Sequence, residues 1–237
     1  GRPPGKPVFC EPMLLVGLTG GIGSGKTSVS SRLAERGAVV VDADAIVREL
    51  QAPGQAVLAA MVERFGEAIL LPDGSLDRQA VADMVFNDDA ARADLGAIVH
   101  PAVRDEIARR VLDQADTDNV VILDIPLLAE SGWDGIAGTI VVDLDPEIAV
   151  QRLVEFRGFA EADARARIAT QASREERLAK ASVVVDNSLD LEHLEAEVDK
   201  ANGSLADATG ILYTARQDSA ALASFVTSSL AKATTLI

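Results

Sequence analysis

The sequence predicts an α/β fold built on a five-stranded parallel sheet, and three observations carry that prediction. Five short runs are almost entirely apolar and rich in β-branched residues, without the in–out alternation of a half-solvated strand; strands covered by helices on both faces read this way. Helical patterns lie between the runs. The first run also passes through a glycine-rich loop into a helical pattern, and ligands of α/β sheets gather at that carboxyl edge.

The expected strands are Leu14–Thr19, Ala38–Asp42, Asn119–Ile125, Thr139–Leu144 and Ser182–Val185. A helix is expected over Thr27–Arg36, a second over Pro146–Phe156, and a third over Glu161–Ala181, where Ala, Arg and Glu dominate. The interval from Asp42 to Asn119 is far longer than one crossover needs. It holds helical stretches at 54–65, 77–86, 88–98 and 101–115, the first two separated by the loop LPDGSL (71–76). Residues 51–117 therefore read as a helical insertion forming a substrate lobe on a core of 13–50 and 118–202, with a lid at about 152–175. Residues 1–12 form an N-terminal arm, native or appended. Residues 203–237 are rich in Ala, Ser and Thr; Asp218 could cap a helix there with Leu222, Phe225, Val226 and Leu230 on one stripe, either as a docking helix or as a loose tail.

Composition narrows the function classes. Of 237 residues 48% are hydrophobic but only 3% aromatic, so Val, Ile, Leu and Ala must fill the core. A net charge of −15 argues against a nucleic-acid footprint and against an anionic membrane surface. An anionic substrate needs a local positive site instead. The single cysteine, Cys10, excludes an internal disulfide framework and a multi-cysteine metal cluster, which suits a reducing, cytoplasmic location. No apolar run is long enough to span a bilayer, and the start GRPPGKPVFCEP has no signal-peptide h-region.

The loop reads GGIGSGKT over residues 20–27, and Gly20, Gly25, Lys26 and Thr27 fit G-x-x-x-x-G-K-[ST]. Glycines permit positive φ and remove Cβ atoms, so the amides of Gly21, Ile22, Gly23, Ser24 and Gly25 can turn inward around a phosphate chain. Lys26 adds a point charge at the β/γ oxygens, and Thr27 offers a hydroxyl to Mg²⁺. The loop is expected to hold the tail of a nucleoside triphosphate.

Carboxylates and guanidinium groups follow. The second strand ends VVVDADAIVREL, placing Asp42 and Asp44 at the carboxyl edge. Asp44 either takes a proton from an attacking hydroxyl or caps the helix that begins at Ala45, and the two duties are compatible. Asp124 ends the third strand, either as a Walker-B acid toward Mg²⁺ or as a strand-end carboxylate in a structural hydrogen bond. Arg152, Arg157, Arg165, Arg167, Arg174 and Arg177 cluster in a chain that is otherwise strongly acidic. Such forks suit phosphate oxygens and lids, although Glu161, Asp163, Glu175 and Glu176 could neutralise most of them. Arg152 and Arg157 flank the turn EFRGF and are the first choices for function. His100 stands at the foot of an expected helix with no second histidine nearby, so it is either structural or a substrate contact, and a histidine metal site is not expected.

These pieces together resemble the dephospho-CoA kinase family. The match runs from about Met13 to Ala201 through GLTGGIGSGK, VDADAIVREL, LDRQAV, VF, IVHP, DIPLLAESG, RARIATQAS and VVVDNS, in that order. The resemblance implies a P-loop kinase with a helical substrate-binding insertion and a lid. It implies transfer of the ATP γ-phosphoryl group to the ribose 3′-hydroxyl of dephospho-CoA, with Mg²⁺. It implies Asp44 as base, Lys26 as phosphate clamp, Thr27 toward the metal, and Arg152 at the transferring group, while Asp124 stays a candidate toward Mg²⁺ on the strand-end reading above. Arg157 falls to the ATP side, while Arg78, Phe86, His100, Pro101, Leu127, Leu128 and Glu130 fall to the acceptor side. Two departures stand out: Ala181-Ser182 where the family usually reads Ala-Asp, and Phe156 where a polar or basic lid residue is common. The alternative is another small-metabolite or nucleotide kinase on the same scaffold. A GTPase is disfavoured, because VVVDNS is not the guanine-reading N-K-x-D.

Overall fold

The computed structural model describes residues 13–86, 88–125 and 136–216, with side chains as far as 207. The chain divides into two compact units, one reaching Val41 and resuming at Val111, the other spanning Asp42–Arg110.

The first unit is organised by the sheet. Its strands are β1 (Leu14–Gly20), β2 (Val39–Asp42), β3 (Val120–Asp124), β4 (Gly138–Asp143) and β5 (Val183–Asp186), in the order β2-β3-β1-β4-β5. β1 pairs parallel with β3, setting Leu14 opposite Val120, and with β4, setting Val16 opposite Gly138. β4 pairs parallel with β5, setting Ile140 opposite Val183. The chain leaves β1 toward β2 and leaves β4 toward β5, so the connections diverge at β1, the arrangement that opens a ligand crevice outside the carboxyl ends.

The apolar strand residues demand cover on both faces. Leu14, Val16 and Leu18 of β1, Ile122 of β3, Ile140 and Val142 of β4 and Val185 of β5 are buried in one cluster with Val29 and Leu33 of α1 (Lys26–Glu35). The last helix, α9 (Leu191–Arg216), adds Leu194, Val198, Ala201 and Leu205, a 4-3-4 spacing that puts all four on one face. Each buried Leu, Ile or Val side chain of this cluster contributes about 1.5–3 kcal/mol of hydrophobic stabilisation. Outside this core Arg32 and Arg36 of α1 pair with Glu195, and Arg36 with Asp199, of α9. Exposed pairs of this kind add only about 0.2–1 kcal/mol each. The remaining helices of this unit are α6 (Pro146–Arg157), α7 (Glu161–Ala169) and α8 (Arg174–Ala179).

The second unit is helical: α2 (Ala43–Leu50), α3 (Ala56–Phe65), α4 (Arg78–Phe86) and most of α5 (Asp89–Leu112). Its core joins Val57 and Met61 of α3, Ile69, Val81 of α4 and Val99 of α5. Three aspartates start three of these helices. Asp42 accepts from the Ala45 N–H at 3.0 Å, Asp77 from Ala80 at 3.0 Å and Asp88 from Ala91 at 2.9 Å. The LPDGSL loop turns back on itself, with Leu70 bridged antiparallel to Leu76 and Gly74 at φ 80.

The structure departs from the sequence expectations in three places. Glu161–Ala181 is two helices, because Ser173 opens a capping box: its hydroxyl accepts from the Glu176 N–H at 3.1 Å and the Glu176 carboxylate accepts from the Ser173 N–H at 2.7 Å. Conversely, 88–98 and 101–115 are one helix running through Pro101. A proline there costs about 3 kcal/mol of helix stability. Ile98 and Val99 before it and Ala102 and Val103 after it pack into the same cluster as Met61 and Ile69, and that shared burial keeps the helix continuous. Finally, α9 takes in residues 203–216, while the Asp218-capped helix lies outside the described residues. Among the described residues no helix is long and apolar enough to cross a membrane.

Candidate functional site

The site starts where β1 stops. Between Gly20 and Lys26 the backbone turns through Gly23 at φ 81 and Gly25 at φ 84, and Gly25 is the N-cap of α1. Neither angle suits an L side chain. The Ser24 N–H closes the turn on the Gly21 carbonyl at 3.0 Å. The loop is seated from below by Asn187, the residue after β5, whose amide donates to the Ser24 carbonyl at 2.7 Å. Asn187 is itself buried and takes its place through its own N–H, which donates to the Asp143 carbonyl at 3.0 Å. A Cβ on Gly25 would collide with that side-chain nitrogen. The hydroxyl of Ser24 is buried without a hydrogen-bond partner among the described residues. A cradle held open by glycines, with an unsatisfied hydroxyl inside it, fits a polar anionic guest.

Four strands end in aspartate, and three of these carboxylates serve the first unit. Asp124 on β3, only 4% exposed, forms an ion pair with Lys26 at the head of α1. Asp143 on β4 grips Arg174 through two bonds of 2.8 and 2.6 Å, which raise the arginine's pKa further. Asp186 on β5 accepts from the Ser188 N–H at 2.9 Å. Thr27 follows Lys26 with its side chain exposed.

Beside the loop lies a cleft of about 370 Å³ touching Gly23, Gly25 and Ser28 on one side and Arg152, Phe156, Arg157, Asn187, Leu189 and Leu191 on the other. Phe156, Leu189 and Leu191 are well exposed there, giving apolar walls at a polar mouth. Arg152 donates to the Asn187 carbonyl at 2.9 Å.

The arginine cluster sorts itself by partner. Arg165 is committed to Glu147 and Glu161, and Arg174 to Asp143. Arg167 lies over the Phe159 ring at 4.9 Å. Arg152 and Arg157 border the cleft. Arg177 donates to the Ala172 carbonyl and lies against Gly21. Beside it, the Gln171 side-chain oxygen accepts from the Ile22 N–H at 2.8 Å.

In the second unit Asp44 occupies the first turn of α2 and is exposed. The cap of that helix is Asp42, and Asp44 makes no hydrogen bond or ion pair among the described residues. Arg78 opens α4 and donates to the buried Gln51 side chain at 2.9 Å. Phe86 ends α4, 74% exposed. His100 and Pro101 lie within α5 rather than at its foot, with the His100 ring exposed over Gly96. No hydrogen bond joins Arg78, Phe86 and His100 among the described residues. Leu127, Leu128 and Glu130 lie outside the described residues.

Sequence reasoning passed over Asn187, Gln171, Leu189 and Leu191. A polar residue directly after a buried strand was the available signal for Asn187; the others become neighbours of the loop only through folding.

Comparison with known proteins bears on the family and the fold. Residues 14–193 match the family model described as dephospho-CoA kinase. A dephospho-CoA kinase of Streptomyces avermitilis is 54% identical over 187 residues, covering 78% of this chain and 91% of that protein. The dephospho-CoA kinase of Mycolicibacterium paratuberculosis is 55% identical over 74% of this chain, which spans only 43% of that longer protein. Among solved structures, TT1252 from Thermus thermophilus superposes with a TM-score of 0.69 at 33% identity, covering 82% of this chain and 98% of its own.

Proposed function

The chain belongs to the dephospho-CoA kinase family, and from that premise we propose how its own residues carry out ATP-dependent phosphorylation of dephospho-CoA. The observation that carries the reading is the seated loop: Asn187 holds Ser24, Gly23 and Gly25 supply the positive φ of the turn, and Lys26 stands at the exit. The cleft beside it supports a purine between the apolar walls of Phe156, Leu189 and Leu191, with Arg157 at its mouth. The triphosphate then runs over the amides of residues 21–25. Lys26 turns from Asp124 to the β/γ oxygens, and Arg152 reaches the transferring group.

Thr27 and Asp124 supply hard oxygen donors that fit Mg²⁺, which keeps several waters and leans on substrate phosphates. Among the described residues no group of three or more His, Cys, Asp and Glu offers a dedicated cage. When bound, the ion neutralises charge on the phosphate oxygens.

Asp44 is the base in this reading, supported by its exposure and its freedom from capping. The ribose 3′-hydroxyl oxygen attacks the γ-phosphorus and its proton passes to Asp44. The bond from that phosphorus to the β-bridging oxygen breaks, its electron pair leaving with ADP. Arg78, Phe86, His100 and Pro101 receive the acceptor on the second unit. A coupled assay of ADP release with Mg·ATP and dephospho-CoA tests the reading: one ADP per CoA is expected, and turnover confined to shikimate or a nucleoside monophosphate would overturn it.

A further inference from the structure

We propose that Arg177 is a further phosphate-binding cation of the nucleotide site, beside Lys26 and Arg152, holding the terminal phosphate of ATP at the end of the loop away from the base cleft. The inference rests on the ATP-dependent reading above and names a residue which that reading does not use.

Two contacts dock the segment 171–177 on the entry to the loop. Gln171 accepts from the Ile22 N–H at 2.8 Å. The Arg177 guanidinium lies over Gly21, where a Cβ would come within 2.9 Å of Nη2 and 3.2 Å of Cζ, so the missing side chain at residue 21 is what admits it. Arg177 also donates to the Ala172 carbonyl, which turns its fork back along the segment. The platform is stiff: α8 begins at a full capping box on Ser173, and Arg174 anchors it to Asp143 at the end of β4.

Charge gives the reason for a ligand. Arg165 and Arg174 have carboxylate partners and Arg167 has an aromatic ring, whereas Arg177 has no carboxylate at ion-pair distance among the described residues. It is half-buried and lies against Gly21, at the entry to the loop that ends in Lys26. A half-buried guanidinium without a carboxylate partner is complemented by an anion that it can bind. Geometry gives the place. The base cleft touches Gly23, Gly25 and Ser28 but neither Gly21 nor Arg177. A nucleotide entering base first therefore runs its phosphates toward Gly21, and the last of them meets Arg177.

The test compares nucleotides that differ only in the terminal phosphate. In calorimetric titrations Arg177→Ala is expected to bind the β,γ-imido analogue of ATP about 10-fold more weakly while binding ADP within about 2-fold of the parent. Its kcat is expected to fall at least about 100-fold, with partial recovery on adding methylguanidinium, and Arg177→Lys is expected to fall between. Equal weakening of the two nucleotides, or a kcat close to that of the parent, would overturn the proposal. Should Arg177→Ala fail to fold, Arg177→Gln keeps a polar, uncharged side chain there and the same analogue-to-ADP ratio decides. A parent protein that ignores dephospho-CoA would sink the activity reading alone, because the ratio still judges Arg177.

Discussion

The side-chain amide of Asn187 donates to the carbonyl of Ser24 at 2.7 Å, tying the residue after the last strand to the loop after the first. Asn187→Ala leaves that buried carbonyl without its donor, a loss of about 1–3 kcal/mol. A lower melting temperature and ATP affinity weakened about 10-fold are expected. Asn187→Asp should be worse, since it faces a carbonyl with a carboxylate. Titration and thermal melts check both, and nucleotide binding indifferent to either change would refute the seating role.

Two glycines separate backbone strain from occupancy. Gly25 and Gly37 both have positive φ, 84 and 96, but a Cβ meets Asn187 at Gly25 and nothing within 4 Å at Gly37. Gly37→Ala should cost about 1–2 kcal/mol of stability and keep nucleotide binding. Gly25→Ala should lose binding as well. Matched losses of affinity in both variants would show that the slot at Gly25 has no special role.

Asp42 and Asp44 are two residues apart and should respond oppositely. Asp42→Ala removes the cap on α2 and is expected to cost about 0.5–2 kcal/mol. Asp44→Asn removes nothing structural and is expected to leave the melting temperature alone while kcat falls about 10²–10⁴-fold. Steady-state kinetics beside calorimetry decide; unimpaired turnover in Asp44→Asn would remove the base assignment.

Glu106 carries the clearest pH signature. The hydrogen bonds from Arg109 and then Arg110 lower its pKa from 4.5 to about 2. A carboxylate depressed in the folded state contributes stability that is complete above its unfolded pKa and is lost as pH falls toward the folded one. The melting-temperature gap between parent and Glu106→Gln is therefore expected to be full above about pH 5 and to close toward about pH 2. A gap that stays constant across that window would contradict the pairing.

Local chemistry was readable before any coordinates. The glycine–lysine spacing lies within eight consecutive residues, and the buried strands announce themselves by composition. Partnerships made across the chain were not readable. Arg165 meets Glu147 from 18 residues away and Arg174 meets Asp143 from 31, so an arginine-rich stretch cannot be divided into paired and available members by inspection. Propensity also yields to packing: Pro101 should have ended a helix, but burial on either side of it carried the helix through. The capping rule allowed Asp44 as readily as Asp42, and only the geometry at Ala45 separates them.

Because Ser24 and Asn187 stand 163 positions apart, a ribosome emits the glycine loop long before it emits the residue that seats it. Nucleotide cannot template the early stages of folding here. A nascent chain halted before β5 should pass over an ATP-agarose column unretained, and affinity should appear only once the final strand and the turn beyond it have emerged.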